Sequence, residues 1–179
     1  MRRILAVFFA FVALISCAHA DYDLSGLSDD DLVVLSRNLQ SEITRRAIEK
    51  ADVLYRVACD DWEIIIYNDA YIDENIGRQL VVIHYAFVNY GTTMKNYKDT
   101  AAIIGFQNGT GISQDSQIVD WNGTTFRTYV KDGGMVDLYI GFNLNDFSAP
   151  FELSIYNASR YYDAEPLAKL MLTAPQQSK

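Results

Sequence analysis

The sequence predicts a mainly β protein, an antiparallel sandwich or barrel of seven or eight short strands behind a single N-terminal α-helix. Three observations carry this reading. Runs rich in β-branched and aromatic residues recur from Val53 to Asn157. Turn-forming residues separate them, with no helical repeat between. One earlier segment, from about Asp29 to Lys50, repeats its apolar residues every three or four positions.

The chain opens with Met1, Arg2 and Arg3, then a 12-residue apolar run from Ile4 to Ile15, then Ala18-His19-Ala20 before Asp21. A basic start, a short apolar stretch and an A-x-A site are the parts of an export signal. Crossing a bilayer takes about 20 apolar residues, so this run is too short for a permanent span. Two cuts compete. Leu14-Ile15-Ser16-Cys17 fits the pattern at which bacterial lipoproteins are lipidated on the cysteine. Cleavage after Ala20 is preferred, because small residues there lead directly into a polar start. The expectation is a secreted or extracellular protein or, with Cys17 kept, one lipid-anchored to the outer face of the cytoplasmic membrane.

Ser28, with Asp31 three residues on, has the form of a capping box, and Asp29, Asp30 and Asp31 suit the positive end of a helix dipole. Leu32, Leu35, Leu39, Ile43 and Ala47 follow on one face, which leaves Arg37, Glu42, Arg45 and Glu49 toward water. After Ala51 the period changes to two. Strands are predicted over Val53–Cys59, Trp62–Tyr67, Gln79–Tyr90, Thr100–Gln107, Gln117–Trp121, Thr124–Val130, Met135–Asn143 and Phe151–Asn157. Asn122-Gly123 is the strongest hairpin signal, since a type I′ turn needs positive φ at both central residues; Asn108-Gly109 is another turn. Residues Val81 to Val88 are apolar on both faces apart from His84, which marks a central strand. The expected organisation is an export signal over 1–20, a helical segment over 21–51, a β-sandwich over 52–173 and a disordered polar tail over 174–179.

Composition bounds the function. Without Arg2 and Arg3, 13 of the 15 basic residues remain against 23 acidic ones, a net charge of −10. Such a chain repels nucleic acid and anionic membranes. Removal of 20 of 179 residues leaves 159, enough for one domain with a sizeable core. Cys59 is then the one remaining cysteine, so no intramolecular disulfide forms and packing must supply stability.

Three stretches resemble known proteins. Asp23-Leu24-Ser25-Gly26-Leu27-Ser28-Asp29-Asp30-Asp31-Leu32-Val33-Val34-Leu35 resembles a segment that follows the signal peptide in many uncharacterised exported proteins of Gram-positive, often gut, bacteria. Leu80 to Asn89, reading LVVIHYAFVN, resembles the central strand and following Asn of a family of unknown function with an immunoglobulin-like sandwich, found in secreted and lipid-anchored proteins. Phe147 to Ile155 is similar to that family's last strand. The resemblance implies an immunoglobulin-like antiparallel β-sandwich and a bacterial source. It brings no catalytic signature with it.

Candidate chemistry is sparse. His84 is the one histidine after the export segment and is read as structural, because a lone imidazole builds no multi-His metal site and no nucleophile motif accompanies it. Cys59 alternates with Val53, Tyr55 and Val57 and is read as a small buried hydrophobe. Asp60-Asp61 and Asp73-Glu74 are read as turn carboxylates, the Asn68–Gly77 stretch lacking calcium-loop spacing. There is no phosphate loop, zinc spacing or nucleophile elbow; no metal or cofactor is expected. The more natural site is a patch of Tyr90, Asn96 and Tyr97 after the central strand with Tyr161 and Tyr162 after the last. Tyrosine beside Asn suits a carbohydrate or protein partner with an apolar face and polar edges. The leading expectation is a non-enzymatic binding or surface-interaction module. The alternatives are a small hydrolase using converging carboxylates, with or without His84, and a structural module of a surface assembly. The sequons at Asn108, Asn122 and Asn157 are expected to stay unmodified in a bacterium.

Overall fold

The computed structural model describes residues 24–74, 79–115, 126–158 and 165–175. The expected export segment, Cys17, the turn expected at Asn122-Gly123, the strand expected over Gln117–Trp121, Tyr161, Tyr162 and the last four residues lie outside them. The chain divides into two compact units, Met1–Ser36 and Arg37–Lys179, and the division falls within the helix.

In the first unit the helix α1 (Asp29–Lys50) begins as its residues dictate. The Ser28 hydroxyl accepts from the Asp31 backbone N–H at 3.2 Å, and the Asp31 carboxylate accepts from the Ser28 hydroxyl at 2.7 Å. This is a reciprocal cap with Asp in place of Glu.

The second unit holds two antiparallel sheets. Its strands are β1 (Val53–Cys59), β2 (Trp62–Tyr67), β3 (Tyr71–Asp73), β4 (Leu80–Asn89), β5 (Ala101–Gln107), β6 (Thr110–Gly111), β7 (Gln114–Asp115), β8 (Met135–Phe142), β9 (Phe151–Asn157) and β10 (Ala168–Leu172). One short helix, α2 (Tyr97–Thr100), precedes β5. The first sheet runs β1-β2-β4-β8-β7, with β3 also on β4; the second runs β10-β9-β5-β6. β2 pairs with the last half of β4 and β3 with its first three residues, so together they form one interrupted neighbour.

Every residue of β4 except His84 is buried, which meets the two-sided apolar pattern. Ile83, Tyr85 and Phe87 join Ile64, Ile66, Leu138 and Ile140 against Ile103, Leu153 and Ile155 of the second sheet. On the opposite face Ala86 and Val88 pack with Ile65, Tyr67 and Ile48 of α1. Leu32, Leu35 and Leu39 of the expected face are partly buried, but the C-terminal half of the helix presents a different side from the one its periodicity suggests. Thr44 and Ile48 are buried, while Ile43 is 51% exposed and Ala47 is open to solvent. Two polar anchors set this rotation: the Arg37 guanidinium meets Asp132 at 2.5 Å, and the Thr44 hydroxyl donates to the Gly133 carbonyl at 3.0 Å. Outward, Arg45 and Arg46 hydrogen-bond Glu42 and hold its carboxyl down at about 2.

The chain passes between sheets over very short distances. After the Asn108-Gly109 turn, whose φ values of 52° and 75° meet the type I′ requirement, β6 runs into Ile112, whose N–H donates to the Gly105 carbonyl at 2.9 Å. A Cβ on Gly105 would stand 2.7 Å from both Ile112 and Phe142, so this approach requires glycine. The segment expected as a strand over Thr124–Val130 contributes one bridge, Lys95 to Val130, in its described part. The expected list missed β3, β6, β7 and β10.

Two buried amides clamp the loops. Asn89, fully buried, donates from Nδ2 to the carbonyls of Thr93 and Val130 at 2.7 and 2.9 Å and accepts from the Gly91 N–H at 2.9 Å. Gln107 donates to the Asp146 carbonyl at 2.7 Å and accepts from the N–H groups of Asn145 and Asp146. A carboxylate cannot donate to a carbonyl. Asn89→Asp is therefore expected to destabilise at least as much as Asn89→Ala, each by about 2–4 kcal/mol in urea unfolding. Equal stability of Asn89→Asp and the parent chain would contradict the clamp.

Candidate functional site

The patch expected around Tyr90, Asn96 and Tyr97 does not form an open surface. Asn96 is buried and caps α2, its side-chain oxygen accepting from the Asp99 N–H at 2.9 Å. Tyr97 is buried between Tyr85, Phe87 and Phe126, and its hydroxyl accepts from the Ile103 N–H at 2.8 Å. The ring fills the end of the sandwich because β4 turns toward β5 there and needs a large plug. Tyr90 stays 48% exposed, but its hydroxyl donates to Glu63 at 2.8 Å. Glu63 is buried and held from the other side by a two-pronged Arg56 contact at 2.6 and 2.8 Å. Of the residues named from sequence, only the Tyr90 ring remains available among those described.

His84 gathers more around it than its sequence neighbours suggest. The break between β2 and β3 lies opposite it, and Asp69 from that break meets Nδ1 at 2.7 Å. The Asp69 carboxylate only accepts, so Nδ1 carries the proton. Asp137, on the adjacent strand, lies 3.8 Å from Nε2 and accepts from the Tyr67 hydroxyl at 3.1 Å. Tyr139 stacks on the imidazole and Tyr67 lies tilted against it, each with ring centroids 4.4 Å away. Two carboxylates thus converge on one imidazole, as the hydrolase alternative requires. Yet Nε2 is out of solvent contact with no hydrogen-bond partner among the described residues. A base must reach a substrate proton, and this one is enclosed by its neighbours. Among the described residues no group of three or more His, Cys, Asp or Glu could hold a metal ion.

A second concavity, of about 220 Å³, lies at the end of the sandwich between Asp60, Asp61, Lys95, Asp99 and Asn157. Its one cation, Lys95, is already paired with Asp61 at 2.9 Å. Cys59 borders it, partly buried and packed on the core, as its alternation suggests.

The larger concavity, about 440 Å³, opens on the outer face of the second sheet. Its size falls within the usual range for ligand sites. The register builds it: Phe106 pairs with Glu152, which pairs with Met171, and one row along, Ile104 pairs with Ser154 and then Lys169. Tyr156 closes one end; the Asn108-Gly109 turn and Pro150 border the other. The Ser154 hydroxyl donates to one Glu152 oxygen at 2.6 Å, and Lys169 has no ion-pair partner among the described residues. An aromatic and thioether floor with an amide, a carboxylate and an ammonium at its rim can hold a ligand with an apolar face and polar edges. Sequence reasoning missed this groove because its members come from three strands, one of which was not foreseen. The alternation of Phe106 with buried Ile103 and Gly105 was the one available signal.

No family model matches the chain, and no curated protein does. A solved structure named "putative lipoprotein" from Staphylococcus aureus matches at 11% identity, covering 69% of this chain and 93% of that one, with a TM-score of 0.49. At that distance it bears on neither function nor anchoring.

Burial pushes the Tyr97 phenol up to about 12 and the Tyr85 phenol well above its usual value; burial, with Glu63 adding to it, holds Tyr90 near 12. Their neutral forms are favoured by folding. The stabilisation is complete below pH 10, the unfolded value, and is lost as pH rises through 12. Urea stability is expected to fall across pH 10–12, with Tyr97 contributing on the order of 2–3 kcal/mol. Tyr97→Phe should flatten that fall, and an unchanged slope would contradict the assignment.

Proposed function

We propose that this protein is an exported, non-enzymatic binding module built on an immunoglobulin-like sandwich, with its ligand seated in the groove between Phe106, Tyr156 and Met171. The single observation that carries the reading is this groove, the larger of the two concavities described, floored by apolar side chains on paired strands. Strand order supports the fold family: β2-β4-β8-β7 against β10-β9-β5-β6 matches the A-B-E-D and G-F-C arrangement with a C′ strand added, and β1 and β3 are accessory. The ligand class is a carbohydrate or a peptide side chain, each of which offers an apolar face to an aromatic ring. Export is read from the first 20 residues, with cleavage after Ala20 as the leading outcome and retention of Cys17 as a lipid anchor as the other. No helix among the described residues is long and apolar enough to cross a membrane.

The hydrolase reading keeps one supporting observation, the convergence of Asp69 and Asp137 on His84. The enclosed Nε2 counts against it, since a catalytic base must reach a substrate proton.

Glycan and peptide arrays probed with the mature protein are expected to yield a ligand whose affinity falls at least about ten-fold in Phe106→Ala and in Tyr156→Ala. Both variants should retain cooperative unfolding, and His84→Gln should bind as the parent does. Loss of binding in His84→Gln with none in the groove variants would reject the groove. Mass spectrometry of the protein from its native host is expected to show a start at Asp21; diacylglyceryl-Cys17 would replace release with anchoring.

A further inference from the structure

We infer that the groove between Phe106 and Tyr156 takes a short uncharged oligosaccharide, held by its ring faces at the two aromatic ends and by its hydroxyls at Glu152 and Lys169 between them. The inference rests on the groove as the binding site proposed above and narrows what enters it. Phe106 and Ala102 lie four positions apart on β5, and Tyr156 pairs with Ala102. At a strand's rise of about 3.4 Å per residue, the two rings are anchored roughly 14 Å apart on one face. A single sugar ring cannot touch both, whereas a few linked rings can. The concavity of about 440 Å³ has room for a ligand of that size.

The charges in the groove exclude the other occupants. Lys169 pairs with Ser154, and Met171 pairs with Glu152, so Lys169 and Glu152 are diagonal neighbours on one face and their charges offset each other. No other charged residue among those described lines the groove. A ligand with a net charge would be matched by one member of this pair and opposed by the other. An apolar peptide side chain would strip water from both and return no hydrogen bond. Sugar hydroxyls satisfy both, one donating to the carboxylate while its neighbour accepts from the ammonium. The acceptor is fixed before a ligand arrives, because the fully buried Ser154 hydroxyl donates to one Glu152 oxygen at 2.6 Å.

Of Met94, Met135 and Met171, only Met171 lines the groove, so its methyl resonance reports what enters. The mature protein, labelled at its methionine methyls, is titrated with cellotriose, maltotriose and acetylated chitotriose, with the cationic chitosan trimer and anionic trigalacturonate, and with end-capped peptides carrying Leu or Phe. At least one uncharged trisaccharide is expected to shift Met171 alone, at an affinity at least about ten-fold above that of either charged sugar. Glu152→Gln keeps an acceptor for Ser154 but leaves Lys169 unmatched, so it should bind trigalacturonate about ten-fold more tightly than the parent does. Lys169→Met should do the same for the chitosan trimer. A peptide or charged sugar that shifts Met171 where no uncharged sugar does overturns the inference and leaves the groove a binding site. A sugar that binds and moves only Met94 or Met135 overturns both. No shift of Met171 with any probe overturns the inference, as do folded variants with the parent's preference among charged sugars.

Discussion

Burial of β4 on both faces is the constraint to which the other elements answer. Apart from His84 and Asn89 its residues are apolar in both directions and must be covered twice, by the second sheet along one face and by Ile48 of α1 over Ala86 and Val88 on the other. Each cover imposes its own conditions. The second sheet must approach closely enough for Gly105 to lie against Ile112 and Phe142. The helix must turn Ile48 inward, and Arg37 and Thr44 fix that rotation by bonding the Asp132–Gly133 turn. Where β4 ends, its last side chain, Asn89, ties down the loop that carries the chain to the other sheet.

Much of this was legible because apolar alternation over a long strand has few readings. The helix start was equally plain from Ser28 and Asp31. The helix rotation was not. Five apolar residues on one side outweighed Thr44 and a single isoleucine in any periodicity argument, and the deciding contacts reach residues 89 to 95 positions away. The two-residue strands β6 and β7 carry no period to detect, and β3 is three residues beside a break. β10, reading AKLML, alternates too weakly to separate from a loop. Asn108-Gly109 and Asn122-Gly123 had the same local chemistry, and only the first lies among the described residues.

Site legibility failed in a more instructive way. Tyrosine and asparagine are as useful for closing a sandwich as for touching a ligand, and Tyr97 and Asn96 do the former. His84 has only apolar strand neighbours, while the carboxylates that meet it come from a strand break and from β8. Spatial convergence across strands leaves no spacing in the sequence, so neither the His84 cluster nor the groove between Phe106, Tyr156 and Met171 had a motif to reveal it.

The placement of β1 and β10 has a mechanical consequence. Each lies at the margin of its own sheet, and β1 joins β2 by a tight turn in which Cys59 faces Trp62. A pull on the chain ahead of Val53 reaches α1 first, so the Arg37–Asp132 and Thr44–Gly133 contacts and the packing of Ile48 give way before the β1–β2 hydrogen bonds are loaded one after another, as a zipper opens. Tension of that kind uncovers one face of β4 before it peels β1 away. A domain held by its leading end would then give up the helical cover of its central strand first, while the face against the second sheet stayed packed.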